Sequence, residues 1–383
     1  MRYFIPQIRT GILLFPFIAL FITIPYMVSQ YRKYGSIVMI RTLIIYSFVF
    51  YLLCCYLLVI LPLPSFETVE QMKVITPQLT PFMFVNDFIM KSKFVWQDPS
   101  TYIDALLSSS FTTVFFNIVL FMPFGIYLRY YFKRSWFQVL TLTFLLTLFF
   151  ELTQLSGLYG IYPKAYRIFD IDDLITNTFG GMLGYLITPM FSFFLPKRES
   201  IDQKAYQKGT IVSYPRRILA IIIDWSCIFL LIIFSDLLFD IPSILSLLSI
   251  NVSSYFILYA LAVILVFVII PTFANGYTLG KYMVRIKIIT IEETKTPFYY
   301  YLYRYGLLYF VILPAPFTII GLLSLMSKQH YLINIILMFV IIFIALVFVL
   351  AVIHFFMAIL SKNRLLSYEI MSKTKNISTI KIE

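Results

Sequence analysis

Five charged side chains, Glu151, Arg167, Asp170, Asp172 and Asp173, stand between two long apolar runs. Four of the chain's 18 acidic residues fall in this stretch. Charge is costly in apolar surroundings and is kept there for a task. Glu151 and Gln154 are three apart and share a helix face; Asp173 and Asn177, four apart, do the same. Asn117 lies inside the apolar run FFNIVLFMPFG and needs a polar partner, for which Glu151 and Asn177 are candidates. Arg167 can pair with Asp170, Asp172 or Glu151, and Asp172 or Asp173 can cap the helix that follows. The set can act in two ways: Arg167 holds an anionic head group, or the carboxylates hold a cation. Its structural alternative is a salt-bridge network that only locks helices together. Four carboxylates against one arginine leave a surplus of negative charge that bare pairing does not require. No nucleophile–base pair and no metal-ligand set stands out, so the pattern specifies no reaction and calls for no cofactor or metal.

A second set lies further along. Asp224 falls within the apolar run YPRRILAIIIDWSCIFLLI, seven residues after Arg217, with Ala220 between them. It needs a cationic or hydrogen-bonding partner, expected to be Arg217 or Arg304; the alternative is a relay for a proton or monovalent cation. Thr278, Gly280 and Lys281 stand in NGYTLGKYMVRIKIIT, whose TLGK lacks the upstream glycine of a phosphate-binding loop. MVRIKIIT alternates like a strand, with Arg285 and Lys287 on one face. His330 and His354 are the only histidines, which excludes chemistry needing several imidazoles. Cys54, Cys55 and Cys227 lie inside apolar runs, not in a disulfide framework.

The elements that must position these residues are membrane spans. Hydrophobic residues make up 61% of the chain, charged residues 13%, and the mean hydropathy is +0.90. The expected fold is all-α: a polytopic helical membrane protein of about nine transmembrane helices. The runs cover 10–28, 38–62, 107–128, 136–155, 173–195, 217–235, 254–274, 305–326 and 331–360. Pro314 and Pro316 interrupt the eighth. The first lacks a cleavage site and reads as a retained span. With the N-terminus outside and the C-terminus cytoplasmic, 22 of the 30 lysines and arginines fall on the inner side. The +12 charge is thus explained by inner loops rather than by nucleic acid. The polar stretch 196–215 reads as a cytoplasmic linker between a five-span domain, 1–195, and a four-span domain with a tail, 216–383. The outer loop 63–106 is expected to cover the bundle end, with Phe82, Phe84 and Trp96 at the interface. LYGIYPKAYRIFDID is apolar enough to form a re-entrant outer loop.

The pattern of Asn117, Pro123 and Gly125, then Glu151 and Gln154, then Arg167, Asp170, Asp172, Asp173, Asn177, Gly180 and Gly181 resembles the VanZ-like family, over roughly residues 10–195. The resemblance implies a bacterial membrane protein linked to teicoplanin-type glycopeptide resistance or to cell-envelope maintenance. Arg217, Ala220, Asp224, Thr278, Gly280, Lys281 and Arg304 resemble the RDD family over roughly 210–376. In the tail Arg364 matches, but Tyr368 and Glu369 stand where histidine and aspartate are common. This second resemblance implies cation/proton transport in some members. The expected partners are membrane lipids, then a lipid-linked cell-wall precursor, a glycopeptide or a monovalent cation. The favoured role is a non-enzymatic one in the bacterial plasma membrane. The alternatives are a cation/proton transporter and an enzyme acting on a lipid-linked envelope precursor.

Overall fold

The computed structural model describes residues 5–193, 195–239, 254–326, 331–360 and 365–381. His330 and Arg364 lie outside the described residues. The chain forms two compact units, Met1–Thr23 with Val38–Asp202, and Ile24–Ile37 with Gln203–Glu383.

In the first unit α1 (Ile5–Tyr34, shared with the second unit) and α2 (Met39–Ile60) are followed by a loop carrying α3 (Phe66–Gln71) and α4 (Met83–Lys91). Three longer helices complete it: α5 (Ser109–Tyr130), α6 (Trp136–Leu155) and α7 (Ile171–Ser192). Helix α6 starts at a capping box, in which Ser135 accepts from the Gln138 amide and the Gln138 side chain accepts from the Ser135 amide. Gly180 and Gly184 let α7 lie directly on α5: a Cβ at either would overlap the carbonyl oxygen of Ile118 or Met122.

Among the described residues seven helices have the length and composition of membrane spans. The pair Phe298–Ile312 and Ala315–Met326, bent by 45°, would be an eighth, and its break falls at the proline-interrupted run. The expected span at 173–195 is α7, which is not among the seven. Its hydropathy is diluted by Thr176, Asn177 and Thr188, all buried against protein. The chain is an all-α polytopic membrane protein, and its described strands form one two-stranded ribbon.

The 156–170 loop is held at the end of α2 and against the 63–106 loop. Tyr162 and Tyr166 bury around Val69 of α3. Their hydroxyls donate to the carbonyls of Pro64 (2.6 Å) and Ile60 (3.3 Å), and Lys164 donates to those of Glu70 (2.9 Å) and Met72.

The polar 196–215 stretch is not plain linker: it contains α8 (Arg198–Gly209). Asp202, at the end of the first unit, pairs with Arg41 and Arg198. The second unit continues with α9 (Tyr214–Phe239) and α10 (Ser254–Ile264), which runs through a π-helical Leu265–Ile269. Then come α11 (Leu279–Met283), β1 (Ile286–Thr290), α12 (Phe298–Gly306), α13 (Ala315–Met326) and α14 (Tyr331–Leu360). The short α15 (Ser367–Met371) leads into β2 (Thr374–Ser378). The strands pair antiparallel, from Ile286 opposite Ser378 to Thr290 opposite Thr374. The core gathers Ile228, Phe267, Tyr301, Tyr305 and Tyr309. The strand anticipated in MVRIKIIT is β1, but Arg285 precedes it with φ 58°, so it does not share a strand face with Lys287.

Candidate functional site

In the first unit the acidic stretch meets the ends of α2, α6 and α7. Glu151 is buried in the last turns of α6, and its Oε2 accepts from the Asp170 amide at 3.0 Å. Gln154, one turn on, donates to the Val59 carbonyl at 2.9 Å. The last carbonyls of a helix have no partner inside it. Gln154 satisfies one at the end of α2, and Arg167 donates to the same oxygen at 2.5 Å.

The carboxylates divide their tasks differently from expectation. Asp170, not Asp172 or Asp173, takes a free amide at the start of α7, accepting from the Asp172 N–H at 2.9 Å. Burial raises the Asp170 carboxyl above its ordinary value. Asp172 reaches out of the helix and accepts the amides of Phe82 (2.6 Å) and Phe84 (2.9 Å), which fixes the start of α4. These two aromatics are thus anchored through their backbone. Asp173 accepts from Asn117 Nδ2 at 2.6 Å, so Asn117 pairs with neither Glu151 nor Asn177. Asn177 donates to Thr147 Oγ1 at 2.8 Å, a partner in α6 that the sequence reading missed. Its own Oδ1 is buried without a hydrogen bond among the described residues.

Arg167 differs most from expectation. It is exposed, and among the described residues it forms no salt bridge with Asp170, Asp172 or Glu151. The salt-bridge lock is therefore absent here: neutral N–H groups satisfy most of the carboxylate oxygens. Among the described residues no group of three or more His, Cys, Asp or Glu is placed to hold a metal ion.

In the second unit Asp224 is fully buried on α9. Its Oδ2 accepts from Thr278 Oγ1 at 2.6 Å and its Oδ1 from the Gly280 amide at 2.7 Å. A Cβ at Gly280 would overlap the Ala220 carbonyl, which explains glycine there: α11 must touch α9 to bring these donors to Asp224. Lys281 is buried beside them, with Nζ donating to the Tyr305 hydroxyl at 2.9 Å. Asp224 also lines an apolar cavity of about 650 Å³ with Cys227, Val266 and Tyr282.

Neither Arg217 nor Arg304 pairs with Asp224. Both converge on Glu369 of α15, at 2.9 Å and 2.7 Å. Seven helical residues rise about 10 Å, which separates Arg217 from Asp224 along one helix. Arg304 also donates to Thr374 Oγ1 at 2.6 Å. Burial alone would raise the Glu369 carboxyl, but the Arg304 and Arg217 guanidiniums outweigh it and hold it below its ordinary value. The sequence reading also missed Arg216. Fully buried, it donates to the carbonyls of Val284, Gly209 and Arg285. Its signal in the sequence is the doubled arginine at the start of α9, Arg216 beside Arg217.

No curated protein and no solved structure matches the chain. Two family models do. Residues 48–192, which carry Asn117 through Asn177, match the VanZ/LLP1 model. Residues 212–368, which carry Arg217, Asp224, Lys281 and Arg304 and stop one residue short of Glu369, match the RDD family model. The chain thus joins a VanZ-like segment to an RDD-like segment in one multi-pass membrane protein.

Proposed function

We propose that the protein works in the bacterial cell envelope as a binding protein, not an enzyme. It would sit in the plasma membrane with its N-terminus outside and its C-terminus in the cytoplasm. The VanZ-like segment would hold the polar head group of a lipid-linked precursor or a glycopeptide at the outer face. One observation carries this reading: Arg167 is exposed, donates one N–H to Val59, and has no carboxylate partner among the described residues. A guanidinium has five N–H donors, and those left over suit a carboxylate or phosphate. The test is teicoplanin susceptibility of cells carrying Arg167→Ala or Asp173→Asn. Both should change it at parental protein levels; unchanged susceptibility in both removes the reading.

A second reading has its own observation. Asp224 is buried yet lines a cavity, so it could exchange a proton for a monovalent cation. Everted vesicles containing the protein should then show sodium-induced dequenching of a pH dye, abolished by Asp224→Asn. No sodium response in the parent rejects it.

A further inference from the structure

A cavity of about 770 Å³ lies within the second unit, away from Asp224 and Glu369. Its walls are the last turn of α1, one face of α8 and the chain on both sides of the ribbon's end. Four cations line it, Arg32, Lys33, Arg285 and Lys381, and among the described residues no carboxylate does. All four are exposed side chains, and none forms a salt bridge among the described residues. Gln203 and Gln207 of α8 supply neutral polar groups. Thr379 adds a second, independent sign: its Oγ1 is buried in this wall and has no hydrogen-bond partner among the described residues.

The walls are held from behind. The Arg216 guanidinium donates to the carbonyls of Gly209 (2.9 Å) and Arg285 (2.7 Å). Ser378 Oγ donates to Gly209 at 2.7 Å, and the Thr379 amide donates to the Arg285 carbonyl at 2.9 Å. Arg285 has a left-handed φ of 58°, a conformation that persists where its surroundings over-determine it. Its backbone is thereby locked while its side chain faces the cavity. A solvated basic surface needs no such buttress; a binding site does.

We propose that this cavity binds a ligand bearing two phosphates or a terminal phosphomonoester. Four cations without a salt bridge among the described residues call for more than one negative charge, and guanidiniums and ammoniums both pair with phosphate oxygens. The volume is that of a small-molecule site rather than of a single ion. Phosphate of this kind comes either from a soluble compound or from a lipid head group. The proposal does not depend on the function given above for Arg167.

The purified full-length protein in neutral detergent provides the test, with inorganic pyrophosphate as the soluble probe and phosphatidic acid in phosphatidylcholine nanodiscs as the lipid probe. Pyrophosphate should raise the thermal midpoint more than sodium chloride of equal ionic strength. Its apparent affinity should fall about tenfold for each cation lost in Arg32→Gln/Arg285→Gln. The charge-matched Lys93→Gln/Lys295→Gln, outside the cavity, should bind as the parent does. Lys381→Gln alone, at an exposed position that cannot unfold the core, should also weaken binding. Competition between phosphatidic acid and pyrophosphate identifies a head-group site, whereas pyrophosphate binding without competition identifies a soluble ligand. A response equal to that of chloride, or equal in parent and cavity variants, overturns the proposal.

Discussion

The two charged clusters solve one problem, burying charge in an apolar protein, by opposite means. In the VanZ-like segment the carboxylates are met largely by neutral groups: Glu151 by the Asp170 amide, Asp172 by two amides, Asp173 by Asn117. The guanidinium beside them, Arg167, stays exposed and lightly used. In the second unit Arg217 and Arg304 share the carboxylate of Glu369, and Arg216 and Lys281 are buried with carbonyl and hydroxyl partners. Ionic pairing is all-or-none: remove one partner and the other is stranded without water. Dipolar satisfaction is graded, because each lost amide contact strands only a neutral donor. The second cluster should therefore be brittle and the first tolerant.

The largest effect should come from Glu369→Gln, which leaves two guanidiniums facing a neutral amide. Breaking a buried pair of this kind costs about 3–5 kcal/mol, read as a large fall in the thermal midpoint of the purified protein. Glu369→Asp, keeping the charge, should lose less. The native cluster also predicts a pH dependence. Glu369 is held below its ordinary value when folded, so its contribution is complete above the unfolded value of about 4.3 and is lost as pH falls through the lower folded value. Glu369→Gln should flatten that acid limb. A midpoint within error of the parent's, with the limb intact, would show that the ion pairs do not hold this unit.

Next comes Asp172→Asn. The amide has one acceptor oxygen where the carboxylate has two, so the Phe82 or Phe84 amide loses its partner. The cost should be about 1–3 kcal/mol, with faster proteolysis within residues 63–106. A loss as large as that of Glu369→Gln would erase the contrast between brittle and tolerant clusters.

How these clusters could be read in advance depends on range. The spans are local: a run of apolar residues fixes a helix, and Pro314 and Pro316 mark the bend of 45°. The close packing of α5 and α7 was legible in Gly180 and Gly184, because a missing side chain has one strong steric meaning. The residues of both clusters were legible as well, since polar groups stand out in an apolar background. Their partners were not. Which carboxylate Arg217 finds depends on bringing α15 beside α9, a tertiary fact. Sequence proximity favoured Asp224, although helical rise sets the two apart. Glu369 departs from the pattern its surroundings resemble, which hides its role. For Asp172 the helix cap is the local option, while the amides it accepts from, at Phe82 and Phe84, lie some ninety residues away.

The smallest effect on stability should come from the residue to which the functional proposal assigns the most. Arg167→Ala removes an exposed side chain and one hydrogen bond to Val59, whose carbonyl still accepts from Gln154. The change should be within about 1 kcal/mol, the range for a hydrogen bond at a surface position. A binding arginine and a structural one then separate cleanly. If Arg167→Ala keeps the thermal midpoint but alters glycopeptide susceptibility, the side chain acts on something outside the fold. If it lowers the midpoint as far as Asp172→Asn does, Arg167 is a clamp on the end of α2, and its exposure says nothing about a ligand. Arg167→Lys sharpens the distinction, since an ammonium can replace the bond to Val59 but not the planar fork that meets a carboxylate or phosphate through two N–H groups. For Arg167→Lys, parental stability with unrestored susceptibility is the result that the head-group reading requires.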